Sequence, residues 1–405
     1  MIAIESQLQS LRKWSEATEN DVLTIYADVN PAKPENAGRV WLTRVKNALK
    51  DMPEIRDRQG KRDQPLYDQV LDLLETERPE ARTIALFAHR EQHGRLYAER
   101  LDLQIELPVV DLTHGRIEAR YGAPYMTPVW FAVDEYDRTG ILLLAAGQWR
   151  FFEVFLDEIR EDEEALAGIS AEDWEELAEA GGRMASEWRA RAGKPGGRFD
   201  KLSPKERETA RSAAWMNRLY GRLSRALEQA VDRLAIERVV LVGEQWQTSH
   251  FETYLSRRLQ NRIAARLPLW PDAKQISAKA LWRRVEPALV EAERKAEVEL
   301  LEEIKREQGL WGVDDVLDAL QMGRVRRWVL PWSLETTIWR CPENGFVAAT
   351  EEAMRALCPK AEQVPLREHV FNLAMTFGAK IEFVRGPAEQ RLIAEMGGMA
   401  ALLRW

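Results

Sequence analysis

The sequence predicts an α/β protein of three domains, with mixed sheets flanked by helices. Three observations lead there. The chain has 405 residues, more than one hydrophobic core ordinarily organises. Its 45% apolar and 31% charged residues describe a folded, soluble composition. Between Gly140 and Ala265, β-type apolar runs alternate with amphipathic stretches in the order strand, helix, strand, helix, which is the pattern of α/β layers.

The first domain is set at residues 1–128. Residues 1–20 read as a short amphipathic helix. Val22–Ala27 is strand-like and stops at the turn pair Asn30-Pro31. Val40, Leu42, Val45 and Leu49 recur at mostly helical spacing between Gly38 and Asp51, as do Leu66, Val70, Leu73 and Leu74 between Pro65 and Glu77. Thr83–Ala88 reads as a buried strand, and partial alternation over Leu96–Leu107 predicts further strands. The prolines of Tyr121–Pro128 do not fit regular ladders, so this stretch is read as a connector that gives the first boundary.

The middle domain, residues 129–275, opens with the apolar strand Gly140–Ala146, and Trp149–Phe155 is its expected hairpin partner. The acidic run Asp157–Glu164 is expected as a solvated helix face. A long helix is predicted from Ser203 to Leu234. Ser203 caps it, Pro204 suits the first helical position, and Glu206 can bond back to the Ser203 amide. Leu219, Leu223, Leu227 and Val231 make its core stripe. Val239–Gly243 is a buried strand, and Phe251, Leu255, Leu259 and Ile263 predict one helix through Ala265. Leu267-Pro268-Leu269-Trp270-Pro271 ends the pattern. In the last domain, residues 276–405, a charged helix from Ser277 to Glu307 containing Pro287 leads into a small α/β unit.

The formal net charge is −8, which argues against non-specific coating of nucleic acid. The distribution is uneven. Between Arg183 and Arg225 twelve basic residues stand against four acids, a local net of +8. Arg207, Arg211, Arg218, Arg222 and Arg225 fall on one helical face by spacing. A solvated face is the ordinary meaning of such a stripe. Its density in an acidic chain points equally to RNA phosphates, whose contacts weaken steeply with salt.

No apolar run approaches the roughly 20 residues that span a bilayer, and the mixed, polar stretch Met1–Asn20 is no secretory signal. No membrane partner is expected. Two cysteines, Cys341 and Cys358, give no disulfide framework and fit a reducing cytoplasm. His89, His93 and His114 are read as loop residues rather than metal ligands, and no cofactor is expected because no phosphate-binding loop or nucleophile triad stands out.

Two glycine-punctuated segments close the chain. Gly312–Val325, with Met322-Gly323 near its end, runs into Arg326–Leu330. Phe377–Val384 is followed by Met396-Gly397-Gly398-Met399-Ala400-Ala401-Leu402-Leu403-Arg404-Trp405. Both resemble the C-terminal domain of class-1 translation termination factors of archaea and eukaryotes and of their relative Pelota. In that family a helix ending in Met-Gly feeds a strand, and a Gly-Gly strand seals the sheet. Val239–Gly243 followed by Phe251 resembles the family's Ile-Leu-Ala-Gly strand and the helix after it. Residues 130–405 thus resemble the bacterial branch of the archaeo-eukaryotic release factors. Cys341 and Cys358 lie where some relatives carry paired zinc knuckles, but one cysteine in each half excludes a four-sulfur zinc.

The resemblance implies the ribosome and tRNA as partners and a role in rescue or quality control. The first domain lacks an Asn-Ile-Lys-Ser type of segment, so its implied target is not a stop codon. The family's chemistry sits on a Gly-Gly-Gln loop that promotes hydrolysis of the ester joining peptide to tRNA. The positional counterpart is Lys194-Pro195-Gly196-Gly197-Arg198, with Gly181-Gly182-Arg183 as a weaker copy. Gly196, Gly197 and Arg198 are the implied catalytic tip and Lys194 an implied RNA contact. Local sequence alone reads the same stretch as a surface linker. Arginine is a donor only, with no carbonyl to accept from water, yet it binds phosphate or developing negative charge. Ester hydrolysis and non-catalytic occupancy of the same ribosomal site both stay open here, as does the oligomeric state.

Overall fold

The computed structural model describes residues 7–8, 10–11, 21–52, 64–75, 79, 81–90, 96–107, 117–122, 124–145, 148–177, 179, 204–307, 309–356 and 358–405, with backbone only for 51, 64, 65, 90, 96, 131, 134, 135, 148 and 204–214. They form two compact units, residues 1–136 with 294–405, and residues 137–293. No helix among the described residues is long and apolar enough to cross a membrane.

The first unit begins with β1 (Val22–Asp28), α1 (Val40–Asp51), α2 (Gln64–Glu75), β2 (Thr83–Arg90), β3 (Leu96–Leu103), β4 (Ile117–Gly122) and α3 (Thr127–Glu135). The strands make an antiparallel sheet ordered β3-β2-β1-β4. Leu23, Ile25 and Ala27 share one face of β1 by its period of two. They pack with Trp41, Val45 and Leu49 of α1 and Leu66, Val70 and Leu74 of α2. On the other face the Tyr26 hydroxyl donates to the Tyr125 carbonyl at 2.6 Å. The expected connector is more regular than its sequence implied. Tyr121 and Gly122 finish β4, and Pro128 lies in the first turn of α3, where a missing N–H costs no helical bond.

The second unit holds β5 (Thr139–Ala145), β6 (Gln148–Phe155), β7 (Glu158–Glu161), α4 (Pro204–Arg233), β8 (Arg238–Gly243), α5 (Gln245–Glu252), α6 (Arg257–Gln260), β9 (Ile263–Leu267) and the start of α7 (Ala278–Arg306). The sheet order is β7-β6-β5-β8-β9. β5, β8 and β9 run parallel, and β6 and β7 continue antiparallel. One face, with Leu142, Leu144, Val239 and Leu241, packs against α4 and α5. The other, with Ile141, Leu143, Val240 and Val242, packs against Leu281, Val285 and Leu289 of α7. This is a mixed sheet covered by helices on both faces, as the fold class predicts.

Two expected elements take other forms. The acidic run is no helix face. Glu158–Glu161 is an edge strand, and Asp162 is buried against Arg233. Glu161 accepts from Arg150 at 2.7 Å, and Glu153 on the neighbouring strand takes Arg138 at 2.8 Å and Arg160 at 3.1 Å. The single helix through Ala265 breaks up as well. Thr253 donates back to the His250 carbonyl at 2.7 Å, Ser256 caps α6 by accepting from the Leu259 amide at 3.4 Å, and Ile263–Leu267 pairs with β8. Open ladder positions on β8 take these residues into the sheet, overriding their helical spacing.

The first unit resumes with the rest of α7, then β10 (Leu310–Trp311), α8 (Val313–Gln321), β11 (Val325–Pro331), β12 (Thr337–Arg340), β13 (Val347–Ala348), α9 (Glu351–Arg355), β14 (Glu362–Pro365), α10 (Val370–Phe377), β15 (Lys380–Val384), α11 (Gly386–Met396) and β16 (Ala400–Leu403). The larger sheet is ordered β10-β16-β11-β15 and the smaller β13-β12-β14. The two glycine-punctuated segments are therefore neighbours, with Trp328 of β11 opposite Ala401 of β16. Gly378 and Gly397 end α10 and α11 at φ of 68° and 66°, the left-handed cap that glycine adopts without a Cβ clash. Cys341 and Cys358 depart from expectation: a disulfide joins them at a Cα separation of 5.8 Å. The end of β12 and the turn after α9 bring them together across 17 residues, a pairing that spacing alone does not show.

Candidate functional site

The basic face sits on α4. Its 30 residues extend about 45 Å, against about 20 Å for the six residues of β8. Met216, Leu219, Leu223, Leu227 and Val231 bury the inner stripe against the sheet. On the outer side Arg218 and Arg225 are exposed, and neither has an ion-pair partner among the described residues. Arg207 and Arg211 belong to the same helix, but their side chains lie outside the described residues. Lys194, Gly196, Gly197, Arg198 and the weaker copy Gly181-Gly182-Arg183 also lie outside the described residues.

Arg222 is engaged within the protein. It donates to Asp173 Oδ2 at 2.9 Å and to the Gly168 carbonyl at 2.9 Å. Asp173 in turn accepts from the Ser170 amide at 3.3 Å and hydroxyl at 3.0 Å, while its own amide donates to Ser170 Oγ at 3.2 Å. This is a capping box at the start of helical residues 171–177. Burial pushes the Asp173 carboxyl up, but the Ser170 bonds and the Arg222 guanidinium outweigh it and hold it below the usual carboxylate range. The Ser170-x-x-Asp173 spacing was the sequence signal for this cap. Nothing local connected it to Arg222.

Beside α4, on the side away from Arg222, stands an aromatic cluster. Tyr254 meets Tyr220 edge to face at 5.4 Å, and His250 meets Tyr254 at 5.4 Å. Phe251 meets Trp149 at 4.9 Å. The Tyr254 hydroxyl donates to Asn217 Oδ1, and Ser224 Oγ donates to the Tyr254 carbonyl at 2.9 Å, so Tyr254 lies along α4 from Asn217 to Ser224. Burial raises the Tyr220 phenol well above its ordinary value, with Gln247 opposing, and burial also raises Tyr254. Burial lowers His250. The cluster is thus uncharged at neutral pH and holds α5 against α4, while the chemistry left to the described face is cationic binding.

A cleft of about 430 Å³ opens where β8 and β9 end, lined by Gly243, Glu244, Gln245, Thr248, Arg266 and Leu267 among others. Open α/β sheets bind ligands outside the carboxyl ends of their strands. Among the described residues the only lining guanidinium, Arg266, is clamped by Glu252 at 2.6 and 2.8 Å, so its charge is already met. Elsewhere, His89 lies on β2 with Nδ1 3.2 Å from the Asp21 carbonyl, and His93 and His114 lie outside the described residues. Among the described residues no group of three or more His, Cys, Asp or Glu side chains is arranged to hold a metal.

Residues 124–289, which include α4 and the whole sheet β5–β9, match the family model described as bacterial archaeo-eukaryotic release factor family 10. The resemblance read from the sequence is borne out there. No curated protein matches the chain. Solved structures similar to it include the archaeal translation termination factor aRF1, at 14% identity, covering 100% of this chain and 99% of that one with a TM-score of 0.23. The Saccharomyces cerevisiae translation termination-like factor Dom34 is similar at 9% identity, covering 80% and 79% with a TM-score of 0.38. The Thermoplasma acidophilum Pelota protein is similar at 15% identity, covering 80% of each chain with a TM-score of 0.24.

Proposed function

We propose, on the premise of the release-factor match over residues 124–289, that this protein is a ribosome- or tRNA-associated factor of translation rescue or quality control acting in the cytoplasm. One observation carries the reading: inside the matched segment, α4 presents Arg218 and Arg225 to solvent, in a chain whose net charge is −8. A cationic face retained in an acidic protein suits a polyanionic partner. Ahead of α4, Lys194 would contact RNA. Gly196 and Gly197 would carry backbone amides to the peptidyl-tRNA ester, with Arg198 at the tRNA end or the developing oxyanion.

A second reading is a non-catalytic factor occupying the same ribosomal site. Arg198, which stands where the family has a glutamine and has no acceptor for water, favours it. Co-sedimentation with ribosomes tests the shared core of both readings. The folded protein should pellet at low salt and be released at high salt; a folded protein that stays in the supernatant at low salt overturns both. Release of labelled peptide from peptidyl-tRNA on stalled ribosomes separates them. Loss of release in Gly197→Ala supports hydrolysis, and equal background release from wild type and variant leaves the binding factor.

A further inference from the structure

Gly221 interrupts the outer face of α4 midway along its length. Glycine is the poorest helix former after proline, so a glycine inside a long helix calls for a steric reason. Gly140, Gly243 and Gly309 have one: a Cβ there would come within 2.7, 2.9 and 2.6 Å of neighbouring atoms. At Gly221 a Cβ would meet nothing within 4 Å among the described residues. Packing among the described residues therefore does not require the glycine.

Its neighbours are informative. Arg218 lies one turn before it and Arg225 one turn after, both exposed and without an ion-pair partner among the described residues. Gly221 also lies between Asn217 and Ser224, the two residues that hold Tyr254 along the helix. The result is a notch with bare helix backbone as its floor, two guanidinium groups on one side and a partly exposed tyrosine on the other.

We propose that this notch admits an RNA backbone to close contact with α4, a phosphate being shared by Arg218 and Arg225. The inference rests on the RNA-facing reading of the arginine face and adds a steric requirement to it. Guanidinium groups one helical turn to either side of a missing side chain can converge on one phosphate, and a methyl group on the floor would hold that phosphate off.

The test uses the full chain and fluorescein-labelled unacylated tRNA, with thermal melting measured alongside. Gly221→Ala should melt at the same or a higher temperature, because alanine is the better helix former, yet bind tRNA about five-fold or more weakly. The double variant Arg218→Ala/Arg225→Ala should lower the slope of log affinity against log salt by about two. Wild-type affinity in Gly221→Ala, with binding lost in the double variant, overturns the notch and leaves the RNA-facing reading standing. A lower melting temperature in Gly221→Ala makes the glycine a folding requirement and overturns the notch too. Absence of tRNA binding by the wild type overturns both.

Discussion

Arg222 of α4 holds the Asp173 carboxylate at 2.9 Å, and Asp173 closes the Ser170 capping box. One arginine of the five-residue stripe is thereby turned to structural use, while Arg218 and Arg225 stay exposed. Residues that look equivalent in sequence are not equivalent in the folded chain.

That difference predicts opposite phenotypes. Arg222→Ala should lower stability by about 1 kcal/mol or less, the range of a partly exposed ion pair. Arg218→Ala and Arg225→Ala should leave the denaturation midpoint unchanged and each reduce the salt slope of ribosome or tRNA binding by about one. Denaturant titration and binding at several salt concentrations measure both; a stability loss confined to Arg218→Ala would contradict the assignment.

Acidification should weaken the second unit through His250. Burial holds its imidazole below the ordinary range, so the unfolded chain takes up the proton first as pH falls past about 6.5. Stability is then full above that value and declines from there toward the lower folded-state value. The Asp173 carboxyl, held low instead, contributes above its unfolded value of about 3.9 and is lost only below it, so the two declines begin in different pH ranges. Denaturant midpoints at pH 7.5 and 5.5 should fall for the wild type and fall less for His250→Gln. Equal declines would remove His250 as the cause.

Gly140 is where a single methyl should do most harm to the β5–β9 sheet. An added Cβ would stand 2.7 Å from Phe151 Cζ and 3.2 Å from Ile236 Cγ2, and both side chains are buried. Gly140→Ala should destabilise by about 1–3 kcal/mol through overpacking. A neutral or stabilising result in urea would show that the ring can move.

The Cys341–Cys358 bond predicts protein without free thiols after non-reducing purification. Reduction should lower the melting temperature, since closing a loop of this length contributes about 3 kcal/mol. Thiol titration under denaturing, non-reducing conditions checks it; two reactive thiols per chain would contradict the pairing.

Legibility followed the range of the signal. β5 with its hairpin partner β6, the long helix α4 and the strand β8 were readable because each carries its own period and its own end signals, such as Ser203-Pro204 and Gly243. The stretch Phe251–Ala265 was misread because Phe251, Leu255 and Leu259 are buried at helical spacing while Ile263 onward answers to β8. The acidic run misled in the same way, Glu161 and Asp162 being matched to Arg150 and Arg233 from distant segments. In the candidate site the arginine face was visible as a spacing, whereas Tyr254 alongside it was not.

By itself the sequence determined the α/β class, the main strands and helices, the concentration of positive charge on α4 and the glycine-marked closing segments, because period, capping and composition act within a few turns of chain. Only the tertiary structure decided that Arg222 serves Asp173, that Cys341 meets Cys358 and that Ile263–Leu267 joins a sheet. Those outcomes depend on which partner the rest of the fold delivers, and a side chain's charge or hydrophobicity does not specify that partner in advance.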